Sequence, residues 1–198
     1  MSLETAEQSL RERGFTVRRF ETGGQAAQYL EETLHGCTIG FGGSRTAEEL
    51  GLFERLGRDN TVFWHWKQDF DEACRSAAGA RVYITSANAL AETGELINID
   101  GYGNRVSATA YGPERVIFVI GKNKLAPTFE QALRRARNVA GPLNARRLHK
   151  KTPCATGPLR CYDCRSPERC CRALMVLWGR PTAIGEAEVL LVNEELGF

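Results

Sequence analysis

The chain is 198 residues long, 42% hydrophobic and 25% charged, with a formal net charge of +2. That length suits one domain, residues 1–198, able to bury a core without staples. No apolar run approaches the roughly 20 residues of a membrane helix, and the charged, amphipathic N-terminus has no signal-peptide core, so a cytoplasmic location is expected.

In chain order, residues 1–35 read as a lead-in: a helical pattern over 3–13, an alternating strand over 15–20, then a helix to 34 introduced by Gly23 and Gly24. A short apolar strand at 37–41 opens into a glycine loop at 42–46, and a helix follows over 47–56. Residues 61–66 are strand-like and 69–78 helical. From Val82 a buried strand leads to Asn88, expected to turn into a short helical piece carrying Glu92, and a second strand spans 95–100. Residues 106–111 alternate like a further strand, and 115–121 is the clearest buried strand in the chain. The pattern over 128–140 is an amphipathic helix that Gly141-Pro142 is expected to end. A cysteine-rich insertion occupies 150–172, and the last strand is 188–193. Alternating strands and helices imply an α/β fold: an open, mostly parallel sheet with helices on both faces, plus a cysteine-bearing loop near the C-terminus. In such sheets ligands sit beyond the carboxyl ends of the strands, at a switch in strand order.

The glycine loop reads Gly40-Phe41-Gly42-Gly43-Ser44-Arg45-Thr46. Glycines let backbone amides approach an anion, and the helix that follows adds N–H groups and a favourable dipole. Ser44 and Thr46 are hydroxyls able to cap that helix or donate to a phosphate or carboxylate, while Arg45 supplies charge. The loop is neither a Walker loop nor a dinucleotide fingerprint, because the Gly-Lys-Ser/Thr and the third glycine are missing. Gly42, Gly43, Ser44, Arg45 and Thr46 are the candidate binding residues for a small anionic ligand or cofactor; a plain capped turn is the alternative.

The mouth of the strand at 95–100 is crowded with polar groups: Glu92, Glu95, Asn98, Asp100, Asn104 and Arg105. A carboxylate placed beside amides there serves as general base or nucleophile, which makes Glu92, Asp100, Asn104 and Arg105 the candidate catalytic set. A hairpin with ordinary turn residues is the alternative.

Seven cysteines are an odd number, and five of them fall between Cys154 and Cys171, which in a reducing compartment points to metal rather than disulfides. Cys161-x2-Cys164 has chelating spacing, and four thiolates suit Zn²⁺ or an iron–sulfur cluster. Ser166-Pro167 is expected to start a short helix carrying Cys170 and Cys171 toward the same point. Redox-labile or unligated thiols are the alternatives. Cys37 and Cys74 read as packing residues, His35 and His65 as core or surface histidines, and His149 lies near Cys154 in a basic run. From Arg134 to Arg172 that run holds eleven Lys/Arg against Asp163 and Glu168. It suits small anions, an acidic partner or compensation of thiolate charge; without interleaved aromatics or a recognisable motif, nucleic acid is not expected.

Gly40-Phe41-Gly42-Gly43-Ser44-x-Thr46, Asn88-Ala89-Leu90-Ala91-Glu92-x-Gly94-x-Leu96-x-Asn98-x-Asp100-Gly101-x-Gly103-Asn104-Arg105, Gly121-x-Asn123-Lys124, Thr152-Pro153-Cys154, Asp163-Cys164-x-Ser166-Pro167-x-Arg169 and the closing Leu191-Val192-Asn193-Glu194-x-Leu196-Gly197-Phe198 together resemble the LUD family, named for lactate utilisation. The resemblance implies the open α/β sheet of the ribose-5-phosphate isomerase, glucosamine-6-phosphate deaminase and CoA-transferase superfamily. It implies a component of lactate or other 2-hydroxy-acid oxidation, working with iron–sulfur oxidoreductase subunits. By the same analogy the loop at 42–46 would hold a phosphate or carboxylate, and Glu92 would stand near the place of a catalytic carboxylate. Cys154, Cys161, Cys164 and Cys171 match the family's frequent cysteine pattern and are the candidate ligands for a 4Fe–4S cluster or zinc; Cys170 is extra, and the choice between it and Cys171 stays open. Two other readings stand beside this one. The first is a stand-alone enzyme on a small phosphorylated or acyl substrate, with Glu92 as base or nucleophile and Ser44, Arg45 and Thr46 as clamp. The second is a ligand-sensing or scaffold module docking through its basic face.

Overall fold

A computed structural model describes residues 2–198. Its centre is explained by two strands that carry buried apolar residues on both faces. Strand β7 (Arg115–Gly121) turns Val116, Phe118 and Ile120 to one core and Ile117 and Val119 to the other. Strand β10 (Glu186–Val192) divides Val189 and Leu191 from Leu190 and Val192 in the same way. Such strands belong inside a sheet covered on both sides. They lie side by side in a six-stranded parallel sheet with β1 (Thr16–Phe20), β2 (Thr38–Phe41), β3 (Thr61–Phe63) and β4 (Val82–Thr85), in the order β1-β10-β7-β4-β2-β3. One face is packed by α1 (Leu3–Glu12) through Ala6 and Leu10, by α5 (Phe70–Ala78) through Ala77 and by α6 (Asn104–Ala108) through Ala108. The other carries α2 (Gly23–Thr33), α3 (Arg45–Glu49) and α4 (Leu52–Leu56). The open, parallel α/β sheet with helices on both faces is therefore as the strand patterning implied.

Strand order sets where a ligand can enter. From β2 the chain moves outward to β3, whereas from β4 it moves the opposite way, through β7 to β10. The loops leaving the neighbouring strands β2 and β4 thus part company, and a crevice opens between them.

The chain departs from its local patterns at several places. After Asn88 it forms no helix. Strand β5 (Ala89–Ala91) makes a hairpin with β6 (Leu96–Asp100), turning at Gly94 with φ 95°, so Glu92 lies on a hairpin tip. Strand β5 also pairs in parallel with β8 (Leu125–Ala126), and β6 pairs antiparallel with β9 (Ala173–Leu177), which builds a second sheet that the local patterns did not reveal. The small residues of β5 fit closely against Ala132 and Ala136 of the covering helix. Residues 104–108 are helix α6, not strand: the Asp100 carboxylate accepts the amides of Gly101, Tyr102, Arg105 and Val106, and Gly103 supplies a φ of 99°. The helix expected over 47–56 is two short ones, α3 and α4, parted at Gly51 with φ 62°. Gly141-Pro142 does not end the long helix. Helix α7 (Phe129–Arg135) widens into a π-helical turn, Ala136–Ala140, and continues as α8 (Gly141–Arg147). Pro142 has no N–H to give and its ring crowds the preceding turn, which the wider turn accommodates. Ser166-Pro167 starts no helix; the helical turn of the cysteine segment is α9 (Pro153–Thr156), which carries Cys154. Among the described residues no helix is long and apolar enough to cross a membrane.

Candidate functional site

A cavity of about 410 Å³ opens beyond the carboxyl ends of β3, β2, β4 and β7. Its wall includes Gly43, Ser44 and Arg45 after β2, His65 and Trp66 after β3, Ser86 to Asn88 after β4, and Lys124 after β7. Lys124 is the residue that local sequence reading passed over, and it is only 3% exposed. Its Nζ donates to Thr46 Oγ1 and Ser86 Oγ, each at 2.8 Å. Both partners are neutral hydroxyls, and the nearest charged influences include the guanidiniums of Arg135 and Arg105. Burial, then those two cations, pull the lysine down to about 7. Its signal in the sequence was Gly121-x-Asn123-Lys124, a motif whose meaning depends on loops far away in the chain.

The glycine loop reaches this wall for reasons of packing as well as backbone access. A Cβ at Gly40 would lie 2.5 Å from the Ala77 carbonyl oxygen, and one at Gly42 would lie 2.8 Å from both Arg105 Cγ and Thr85 Oγ1. Gly42 and Gly43 therefore leave room for the Arg105 stem and for Trp66. Ser44 caps α3 by accepting the Ala47 amide at 3.1 Å, the role expected of it. Thr46 is wholly buried and holds Lys124. Arg45 lines the cavity but is paired with Glu48 and Glu49 on its own helix.

The carboxylate set separates. Asp100, Asn104 and Arg105 line the cavity; Glu92 and Glu95 do not. Glu92 accepts the Ser2 amide at 2.8 Å at the far end of the hairpin, and buried Glu95 pairs with Arg13 at 2.6 Å. Arg13 also donates to the carbonyls of Thr93 and Trp178, so this end of the hairpin is a clamp on the N-terminal helix. Asp100 is engaged by four backbone amides, as described above. Arg105 is buried and donates to Asn98 Oδ1, Asn88 Oδ1 and the Ile99 carbonyl, with Asp100 Oδ2 3.8 Å from its Nε. Burial lowers its pKa, opposed by Asp100.

Opposite these groups Trp66 stacks on Trp64 at 5.3 Å, and the Arg147 guanidinium lies 4.2 Å from a Trp66 ring centroid. Asn144 fixes Arg147 through bonds of 2.9 and 3.1 Å. His65, expected in a core or surface role, lines the cavity instead; burial lowers its pKa, and its buried Nδ1 has no protein partner.

A second cavity, of about 360 Å³, is lined by Cys154, Cys161, Cys164, Cys170 and Cys171. Cys170, Cys171, Ile99 and Gly141 line both cavities, so the two share a wall. The Cys161-x2-Cys164 turn bends at Asp163, with φ 46°, and the Asp163 amide donates to Cys161 Sγ at 3.4 Å. Arg169 ties the segment together by donating to the carbonyls of Cys164 and Cys171 and to Asp163. Burial raises the Cys170 thiol. Among the described residues no three His, Cys, Asp or Glu side chains group closely enough to hold one metal ion. The thiols surround a space rather than converge on a point. His149 lines neither cavity, and Cys74 is buried on α5 in the packing role expected.

No curated protein matches the chain. A crystal structure of a DUF162 family protein from Deinococcus radiodurans superposes on it with a TM-score of 0.53 at 15% identity, covering 96% of this chain and 95% of that one, a likeness of fold. The LUD domain family matches residues 3–192, nearly the whole length that forms the two sheets and both cavities. The chain belongs to the LUD domain family.

Proposed function

We propose that this LUD protein serves the utilisation of small 2-hydroxy or 2-oxo acids and binds the acid's carboxylate in the cavity closed by Lys124. One observation carries the reading. Arg105 and Arg147 line the cavity with Lys124, and its one side-chain carboxylate, Asp100, is already taken up by backbone amides. A partly enclosed space with that balance attracts a small anion. Arg147, whose planar guanidinium lies over Trp66 and is fixed by Asn144, is the group suited to grip a carboxylate in two-point fashion.

The cysteine cavity next to it is proposed to hold an iron–sulfur cluster through Cys154, Cys161, Cys164 and Cys171. Thiols spread around a cavity fit several irons better than one tetrahedral zinc, which needs its sulfurs drawn to a single point. A cluster bound there would exchange single electrons with a partner oxidoreductase subunit. The residues around it bring Arg137 and Arg169 to offset thiolate charge and the Asp163 amide to steady Cys161.

Of the three tryptophans Trp66 lines the cavity, so a ligand entering there should alter the intrinsic fluorescence, a change that Trp66→Phe should remove. Titration with L-lactate, pyruvate and inorganic phosphate should show saturable quenching by the two carboxylates, weakened roughly tenfold by Arg147→Ala. Binding of phosphate alone would favour the stand-alone enzyme on a phosphorylated substrate, and no response to any of the three would overturn the site. For the second cavity, protein purified without oxygen should carry iron, sulfide and visible absorption. A colourless, iron-free chain under those conditions would sink the cluster.

A further inference from the structure

We infer that Lys124 is the amine nucleophile of this cavity and forms a reversible imine with the carbonyl carbon of a small 2-oxo acid. The inference rests on the carboxylate-binding reading above and assigns the acid's second functional group. Its basis is the direction of hydrogen bonds around Nζ. Ser86 Oγ donates to the Val119 carbonyl at 2.6 Å, and Thr46 Oγ1 donates to the Leu196 carbonyl at 3.2 Å. With their protons committed, both hydroxyls turn only lone pairs to Nζ, each at 2.8 Å. A neutral amine has two N–H bonds to give, and the two hydroxyls take both. What remains is the nitrogen lone pair, on a side chain that lines the cavity. The hydroxyl pair thereby orients a nucleophile instead of merely satisfying a cation.

The surroundings keep that lone pair available. Lys124 is buried, has two guanidiniums near it, and is pulled down to about 7, the two means by which a lysine is made nucleophilic at neutral pH. Arg147 supplies the carboxylate contact, so a 2-oxo acid held there would place its adjacent carbonyl carbon within the same cavity. In the step itself Nζ donates its electron pair to that carbon and the carbonyl π pair moves to oxygen. A proton passes from nitrogen to that oxygen to give a carbinolamine; the hydroxyl then leaves as water, taking the second nitrogen proton, and the C=N bond forms. One amine and one carbonyl yield one imine and one water, with no oxidant or reductant.

The test incubates the whole chain with pyruvate and cyanoborohydride and maps the reduced adduct by peptide mass. One reduced pyruvate per chain on the Lys124 peptide is expected, with Lys67, Lys122, Lys150 and Lys151 left unmodified, and with L-lactate, which has no ketone carbonyl, suppressing the adduct. Lys124→Met should lose it. Because the mapping is made on the unsubstituted chain, the result does not depend on that variant folding. Quenching of Trp66 by pyruvate with no adduct on Lys124, or an adduct spread over the other lysines, would overturn the imine and leave the carboxylate site standing. Absence of pyruvate binding would overturn both.

Discussion

Below about pH 7 the Lys124 side chain is protonated in both the folded and the unfolded chain, and the full cost of burying its charge is present. Between about 7 and the ordinary 10.5 the unfolded chain binds more protons than the folded one, so stability rises with pH across that window. The relief is on the order of 5 kcal/mol at most. Lys124→Met has no such dependence. Its stability relative to the unsubstituted chain, measured by thermal melting from about pH 6 to about pH 10, should therefore decline as pH rises. A difference that stays constant would mean that Lys124 titrates near its normal value. Glu92 offers the opposite kind of prediction. It lies outside both cavities, so Glu92→Gln should leave ligand affinity unchanged and cost only about 1 kcal/mol or less through its bond to the Ser2 amide. A tenfold loss of affinity in that titration would restore Glu92 to the site. The contrast shows what single residues disclose. A glutamate in a polar run is conspicuous, whereas the burial of Lys124 exists only once Thr46, Ser86, Val119 and Leu196 arrive from four separate parts of the chain.

Among the elements, β10 carries a charge through the middle of a sheet. Glu188 has no exposure, and it is held by Arg18, Arg115 and the Tyr29 hydroxyl. Glu188→Ala would leave Arg115 without its buried partner and should cost roughly 3 kcal/mol in urea unfolding. A midpoint close to that of the unsubstituted chain would show both arginines escaping to solvent. The loop after β2 makes a sharper comparison. Arg105 is fixed by three acceptors and has little freedom to retreat from a new methyl group, so Gly42→Ala should destabilise by about 1–3 kcal/mol and weaken ligand binding. Gly24→Ala, whose Cβ would meet nothing nearer than Thr22 Oγ1 at 3.8 Å, should be neutral or slightly stabilising. Continuous apolar strands such as β7 were legible because burial on both faces leaves no polar position. Strand β5 was not, since Ala-Leu-Ala has neither alternation nor β-branched residues. Helix α6 hid behind the strand-like alternation of residues 106–111, and its start is dictated by a carboxylate on the preceding strand.

At the scale of the whole molecule, a parallel sheet and a separate cysteine segment were present in the chain's pattern, and a cavity opens beyond the carboxyl ends of the strands, where the pattern placed a ligand. The joining of the cysteine segment to that cavity was not legible, because it depends on β9 pairing with β6 and on the Arg172 amide donating to the Asp100 carbonyl at 2.8 Å. Arg169 is the side chain that holds the cysteine loop in shape, and it contributes nothing to either hydrophobic core. If the proposed cluster is held there, Arg169→Ala should lower iron retention after anaerobic purification while leaving the main unfolding transition in place. Loss of both together would mark the segment as part of the cooperative fold.

The π-helical turn at Ala136–Ala140 gives the two cavities a common setting. It acts as a phase shift of one residue in an otherwise continuous helical rod. Beyond it, Asn144 and Arg147 face the cavity lined by Lys124, Pro142 and Ala145 face the cysteine cavity, and Gly141 stands between. Removing a single residue from that turn would rotate everything downstream by about 100°. Arginine and proline would leave their respective compartments in the same motion. The two chambers are thus indexed to each other by one extra residue.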